Sequence, residues 1–137
     1  MDRIFQYAAN IQEIPRIRQD LGFLSQEWAV AEGEIRQIQL IIEELFSNIV
    51  RHAFQDNMDH VVDIRLAYKD GHIEIEIIDD GIPFNPLDYK NGTGKDPAKV
   101  EESGMGLSLV RAFSSGASYL HDSGRNHLTI TKKLKSI

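Results

Sequence analysis

The sequence predicts an α+β fold: a two-layer sandwich in which a mixed, mostly antiparallel sheet carries its helices on one face. Three features predict it. Strand-like runs come as hairpins, 61–68 with 72–79 and 117–121 with 127–134, and hairpins pair antiparallel. Helical periodicity is confined to separate stretches, and helices segregated from hairpins pack on one side of a sheet. The chain has 137 residues, a length that favours one domain over 1–137 and suffices for one core without staples.

The first strand, 3–8, alternates Ile4, Gln6 and Ala8 against Phe5 and Tyr7. Asn10 with Glu13 three residues on has the form of a capping box. Pro15 belongs in the first turns of a helix or before it, so the helix starts there or a few residues later. Ile14, Ile17, Leu21, Leu24 and Trp28 recur at spacings of three and four, a core-facing stripe. A break at Glu32-Gly33 separates it from a stronger helix over 34–54, with Ile38, Ile42, Leu45, Ile49 and Ala53 inward and Arg36, Glu43, Ser47 and Arg51 outward.

Val62, Ile64, Leu66 and Tyr68 then alternate, as do Ile73, Ile75 and Ile77, and Asp70-Gly71 between them is a favoured hairpin turn. Periodicity is lost over 81–104, which holds Gly81, Pro83, Pro86, Gly92, Gly94, Pro97 and Gly104. So long a structureless stretch inside a compact domain points to a functional lid or a disordered segment. A short helix over 105–115 and the strands 117–121 and 127–134, with residues 123–126 turning between them, complete the order.

Composition narrows the function. Fifteen Lys and Arg against twenty-one Asp and Glu give a formal charge of −6, which disfavours electrostatic capture of nucleic acid or an anionic membrane. The absence of cysteine excludes disulfides, thiolate metal sites and cysteine nucleophiles. No stretch approaches the roughly 20 apolar residues of a membrane span, and the N-terminus lacks the apolar core of a secretory signal. The expected location is the cytoplasm.

Three places carry chemistry. On the 34–54 helix, Glu44, Asn48 and His52 lie four apart and form one row drifting toward the buried side. A solvated helix edge would look the same at any one of these positions, but a carboxylate one turn from a carboxamide also suits phosphoryl transfer. The carboxylate positions or deprotonates a nucleophile, and the neutral oxygen holds Mg²⁺ on phosphates. The second place is Asp79-Asp80-Gly81, directly after a strand. It reads as a polar turn or as a partly buried Asp79 accepting from an exocyclic amine, with Gly81 permitting close backbone approach. In the third, Gly104 and Gly106 stand where the long loop meets a helix, either a hinge or a phosphate cradle. Gly92-Thr93-Gly94-Lys95-Asp96 fails as a phosphate-binding P-loop, because Tyr89 takes the first glycine position and Asp96 replaces Ser or Thr.

A Glu-x-x-x-Asn helix, a strand ending Asp-x-Gly, a long glycine-bearing loop and Gly-x-Gly-Leu opening a helix occur here in that order. This order resembles the Bergerat-fold (GHKL) ATPases, and essentially the whole chain takes part. Asp79-Asp80-Gly81-Ile82-Pro83-Phe84-Asn85-Pro86 is similar to the Asp-x-Gly-x-Pro-Phe-Asp-Pro phrase of the small anti-sigma-factor serine/threonine kinases, with Asn85 for the last Asp.

The resemblance implies that Glu44 is the catalytic base and Asn48 the Mg²⁺ ligand. Asp79 would read the adenine amine, and Gly81 and Phe84 would shape the base pocket. Gly104, Met105, Gly106 and Leu107 would turn backbone N–H groups to the phosphates of ATP, and Thr129 would support the adenine site. Residues 87–103 would form the ATP lid, where Lys95 or Lys99 could reach the γ-phosphate or stay solvated. His52 sits on the row but, as a lone histidine, reads as packing; His60, His72, His121 and His127 show no ligand spacing.

No residues are left over for a transducer domain or a phosphoacceptor hairpin, so the expected acceptor is a Ser or Thr of another protein. In the resembling family that partner is a STAS-domain anti-anti-sigma protein, which competes with a sigma factor for a kinase that is commonly a homodimer. The other class of reading is a non-catalytic ATP-binding module that sequesters its partner; the intact Glu44 argues against it.

Overall fold

The computed structural model describes residues 1–88 and 106–135. Five strands form one sheet: β1 (Asp2–Ala8), β2 (Val61–Lys69), β3 (His72–Asp79), β4 (Gly116–Asp122) and β5 (Arg125–Lys133), in the spatial order β1-β2-β3-β5-β4. Every pairing is antiparallel, so the parallel component expected of a mixed sheet is absent among the described residues. Helices α1 (Ile14–Glu27) and α2 (Glu32–His52) and a third, α3 (106–113), accompany it. None of the described helices is long and apolar enough to cross a membrane.

The core lies on one face of the sheet. Tyr7 of β1, Val62, Ile64 and Leu66 of β2, Ile73, Ile75 and Ile77 of β3, and Leu128 and Ile130 of β5 are buried there. They meet Ile38, Ile41, Ile42, Leu45, Phe46 and Ile49 of α2 and Ile17, Leu21 and Leu24 of α1. The alternate strand residues face away, as a half-buried strand requires. Ser47, read from periodicity as outward, is buried. Because α1 packs along α2, a second face of α2 is covered, and Arg18 of α1 grips Glu43 with two bonds of 2.8 Å.

Local details explain where the expected boundaries move. Asn10 does act as a cap, accepting from the backbone N–H of Gln12 at 2.9 Å, but it opens a 3-10 turn (Ile11–Glu13). The α-helix follows with Pro15 in its first turn, where a missing N–H costs nothing. The break between the helices falls at residues 28–31 rather than at Glu32-Gly33. Ala29 takes the left-handed conformation at φ 55°. Val30 N–H donates back to Ser25 O at 2.9 Å and Ala29 N–H to Gln26 O at 3.4 Å, a Schellman ending with Ala in the usual glycine position.

Both hairpins turn on two residues with positive φ, Asp70-Gly71 and Ser123-Gly124. The second turn is two residues shorter than expected, so Arg125 and Asn126 belong to β5, and Asn126 stands directly opposite Asp79 of β3.

Candidate functional site

Two groups of side chains meet where the C-terminal half of α2 passes the end of β3 and the start of α3. The first belongs to α2. The row Glu44–Asn48–His52 drifts into the protein as the helical repeat requires: Glu44 is half-buried and Asn48 is 1 % exposed. Asn48 Nδ2 donates to Glu44 Oε1 at 3.4 Å. Gly106, the first residue of α3, lies against this carboxylate: a Cβ there would sit 2.1 Å from the carboxylate carbon. A side chain at this position would displace the Glu44 carboxylate from where it stands. Leu107 next to it is buried.

The second group gathers at the end of β3. Asp79 is 3 % exposed. Its Oδ1 accepts from Gly81 N–H at 2.8 Å and from Asn126 Nδ2 at 2.9 Å. Asn126 Nδ2 also donates to Ile82 O at 2.8 Å, and Asn126 Oδ1 accepts from Phe84 N–H at 3.1 Å and from the Tyr119 hydroxyl. One buried amide thus ties β3, β4, β5 and the 81–84 turn together. Asp79 Oδ2 is buried and has no hydrogen-bond partner among the described residues. Burial pushes the Asp79 carboxyl above its ordinary value, opposed by the bonds from Asn126 and Gly81. A buried acceptor whose donors both serve its other oxygen can still receive one N–H or O–H.

Gly81 ties the end of β3 to the end of α2. A Cβ at this position would come within 2.5 Å of Ala53 O and 2.7 Å of Ala53 Cβ, just past the end of α2, and Ile82 N–H donates to Ala53 O at 2.8 Å. The close approach expected at Gly81 is therefore to the protein's own backbone. Phe84 packs against His52 with ring centroids 5.6 Å apart.

Of the residues singled out in the sequence, the fold brings Glu44, Asn48 and Gly106 together, and Asp79, Gly81 and Phe84 together. Thr129 joins neither. It lies on the opposite face of β5, between the buried Leu128 and Ile130 and opposite Glu76, because its neighbours' burial fixes its own side. Asn126, with the parity of Leu128 and Ile130, occupies the place expected of Thr129. Sequence reasoning missed it by assigning it to the turn, although the same alternation extended backward from Leu128 marks it as inward. Gly104, Met105, Lys95, Lys99 and the 89–103 part of the expected lid lie outside the described residues. Among the described residues no three His, Asp or Glu side chains group to hold a metal.

Known proteins resemble this chain in sequence and in fold. The serine-protein kinase RsbW of Bacillus mycoides (strain KBAB4) is 25 % identical over 121 residues, which cover 85 % of this chain and 75 % of that protein. RsbW of Bacillus thuringiensis subsp. konkukian (strain 97-27) matches to the same extent. Among solved structures, the RsbU and RsbW domains of Rv1364c from Mycobacterium tuberculosis superpose with a TM-score of 0.68 at 22 % identity. That match covers 98 % of this chain but only 32 % of the mycobacterial one, and shows a shared fold. A histidine kinase domain from Erythrobacter litoralis EL346 superposes with a TM-score of 0.56 at 18 % identity, over 90 % of this chain and 60 % of that one. Residues 7–132, nearly the whole chain, match the histidine kinase-like ATPase domain, and the chain belongs to that family.

Proposed function

We propose that the protein transfers the γ-phosphoryl group of ATP to a Ser or Thr hydroxyl of a STAS-domain anti-anti-sigma partner. In this reading it is a cytoplasmic homodimer that also holds a sigma factor, gives it up when the unphosphorylated partner competes for the kinase, and resets the switch by phosphorylation. The observation that carries the reading is the half-buried Glu44, one turn from the buried Asn48 and with the start of α3 against its carboxylate. A module that only sequestered its partner would have no use for a carboxylate held there. The serine-protein kinase names of the Bacillus relatives support the same choice.

Each residue then has a task. Asp79 Oδ2, with no donor among the described residues, accepts the adenine exocyclic amine, and Asn126 holds Asp79 in the rotamer that presents it. Phe84, seated on His52, lines the base. Glu44 accepts the proton of the acceptor hydroxyl as that oxygen bonds to the γ-phosphorus and the bond to the β–γ bridging oxygen breaks, leaving ADP. With its nitrogen turned to Glu44, Asn48 would hold Mg²⁺ through its side-chain oxygen, the ligand type that ion prefers. The chemistry such an ion would supply is neutralisation of phosphate charge.

The test is incubation with Mg·ATP and a candidate STAS-domain protein. Phosphoserine or phosphothreonine should form on the partner. Glu44→Ala should slow that transfer by about 10²–10⁴-fold while ATP binding measured by calorimetry persists. Binding with no transfer by the wild-type protein would favour the sequestering module, release of free phosphate alone would favour simple hydrolysis, and failure to bind any adenine nucleotide would remove the site assignment.

A further inference from the structure

We infer that the buried pair Lys132–Glu34 is a positioning element for the reacting end of the site, acting through α3; this rests on the kinase reading above. The inward residues of β5 run Leu128, Ile130 and then Lys132, where an apolar side chain would be expected. Lys132 is 5 % exposed. Its Nζ donates to Phe113 O, at the C-terminal end of α3, at 3.2 Å, and lies 3.7 Å from Glu34 Oε2 in the first turn of α2. The ammonium also sits 6.0 Å from the centroid of the Phe113 ring. Glu34 is buried, and its Oε2 accepts no hydrogen bond among the described residues.

Such a pair contributes little to stability. Desolvating both charges costs several kcal/mol, and replacing a buried pair by apolar residues of similar size is often neutral or stabilising. Its contribution is location. A cation at the negative end of a helix dipole, bonded to one of its last carbonyls, fixes that end. Here it fixes the end of α3 against β5 and the first turn of α2. Ser115 N–H, donating to Thr131 O at 2.7 Å, closes the same junction from the backbone.

The other end of α3 is Gly106, against Glu44. Glu34 and Glu44 are ten residues apart on α2, about 15 Å, and the eight residues of α3 (106–113) span about 12 Å. The two helices therefore run antiparallel, with one end of α3 at each glutamate. A helix two turns long moves as a unit, so an axial shift released at Phe113 reaches Gly106 and the backbone that faces Glu44. Lys132 positions α3, and Glu34 positions Lys132.

The experiment uses the full chain as wild type, Lys132→Arg and the double variant Glu34→Leu/Lys132→Met. It reads thermal melting, hydrogen exchange of the α3 amides without nucleotide, and affinity for adenosine and for Mg·ATP. The double variant should melt at or above the wild-type temperature and bind adenosine, which reaches only the Asp79 end, as wild type does. It should exchange its α3 amides about tenfold faster and bind Mg·ATP at least about tenfold more weakly, whereas Lys132→Arg, which keeps the charge, should stay near wild type in both. If the double variant matches wild type in exchange and in ATP affinity, the inference is overturned. Should the double variant not fold, Glu34→Gln keeps the shape without the charge and carries the same readouts and the same overturning result. Wild-type protein that binds neither ligand would sink the kinase reading, and the exchange measurement would still decide the positioning role.

Discussion

Asp79 is the residue at which fold and site make opposite demands. Burial disfavours its charge, and its raised pKa means the folded state holds its proton more tightly than the unfolded chain does. Ionised Asp79 therefore weakens the fold as pH rises through that value, and its removal has no charge-based stability to lose. In Asp79→Asn the amide oxygen will keep the place of Oδ1, because Gly81 N–H and Asn126 Nδ2 both donate there. The amide nitrogen must then face the site, donor against the donor of adenine. We expect Asp79→Asn to melt within about 2 °C of wild type or higher and to bind ADP at least about tenfold more weakly, by calorimetry. Glu44, Asn48 and Asp79 were legible as candidates, since helical spacing and a strand end place them without tertiary knowledge. Asn126 was not, because its role depends on which strand lies opposite it.

At the level of elements, the junctions decide most. Ala29 ends α1 in the left-handed conformation, a strain that glycine would not feel. Ala29→Gly should stabilise the protein by about 0.5–1 kcal/mol, read from urea denaturation. The sequence misled at this turn: a glycine normally marks such an ending, and Gly33, the nearest one, lies inside the first turn of α2, where an added Cβ would meet nothing. Gly81 is the opposite case. Its missing side chain lets the end of β3 touch the end of α2, and the atoms in the way are backbone. Gly81→Ala should cost about 1–3 kcal/mol and weaken nucleotide binding with it, because separating Ala53 from Gly81 also displaces Phe84 from His52; parallel melting and binding curves check both.

Across the molecule, the sheet and α2 are also tied by a titrating group. His60, stacked on Phe54 with centroids 4.4 Å apart, bonds Asp56 through Nε2 at 2.6 Å and Asp80 through Nδ1 at 3.0 Å. The Asp56 bond, opposed by desolvation and helped by Asp80, raises the His60 pKa above 6.5. The same His60 bond holds the Asp56 carboxyl below its ordinary 3.8. Charged His60 thus stabilises the fold fully below about pH 6.5, and the gain is lost as pH rises through the folded value. The melting-temperature difference between wild type and His60→Gln should be largest near about pH 5.5 and close toward about pH 8.5; a constant difference would count against the assignment.

What the sequence determined by itself is local and periodic: the helical and strand stretches, the two hairpins and hence a mostly antiparallel sheet, the row Glu44–Asn48–His52, and the acid at the end of β3. These follow from spacings of two and of three to four residues, which act within one segment. Tertiary structure alone decided which segments meet. It inserted β5 between β3 and β4, bringing Asn126 to Asp79 across 47 residues of chain. It set Gly106 on Glu44, turned Thr129 away, and buried Lys132 with Glu34. Such contacts depend on how a whole sheet face and two helices fill one core, and no periodicity within a segment encodes that packing.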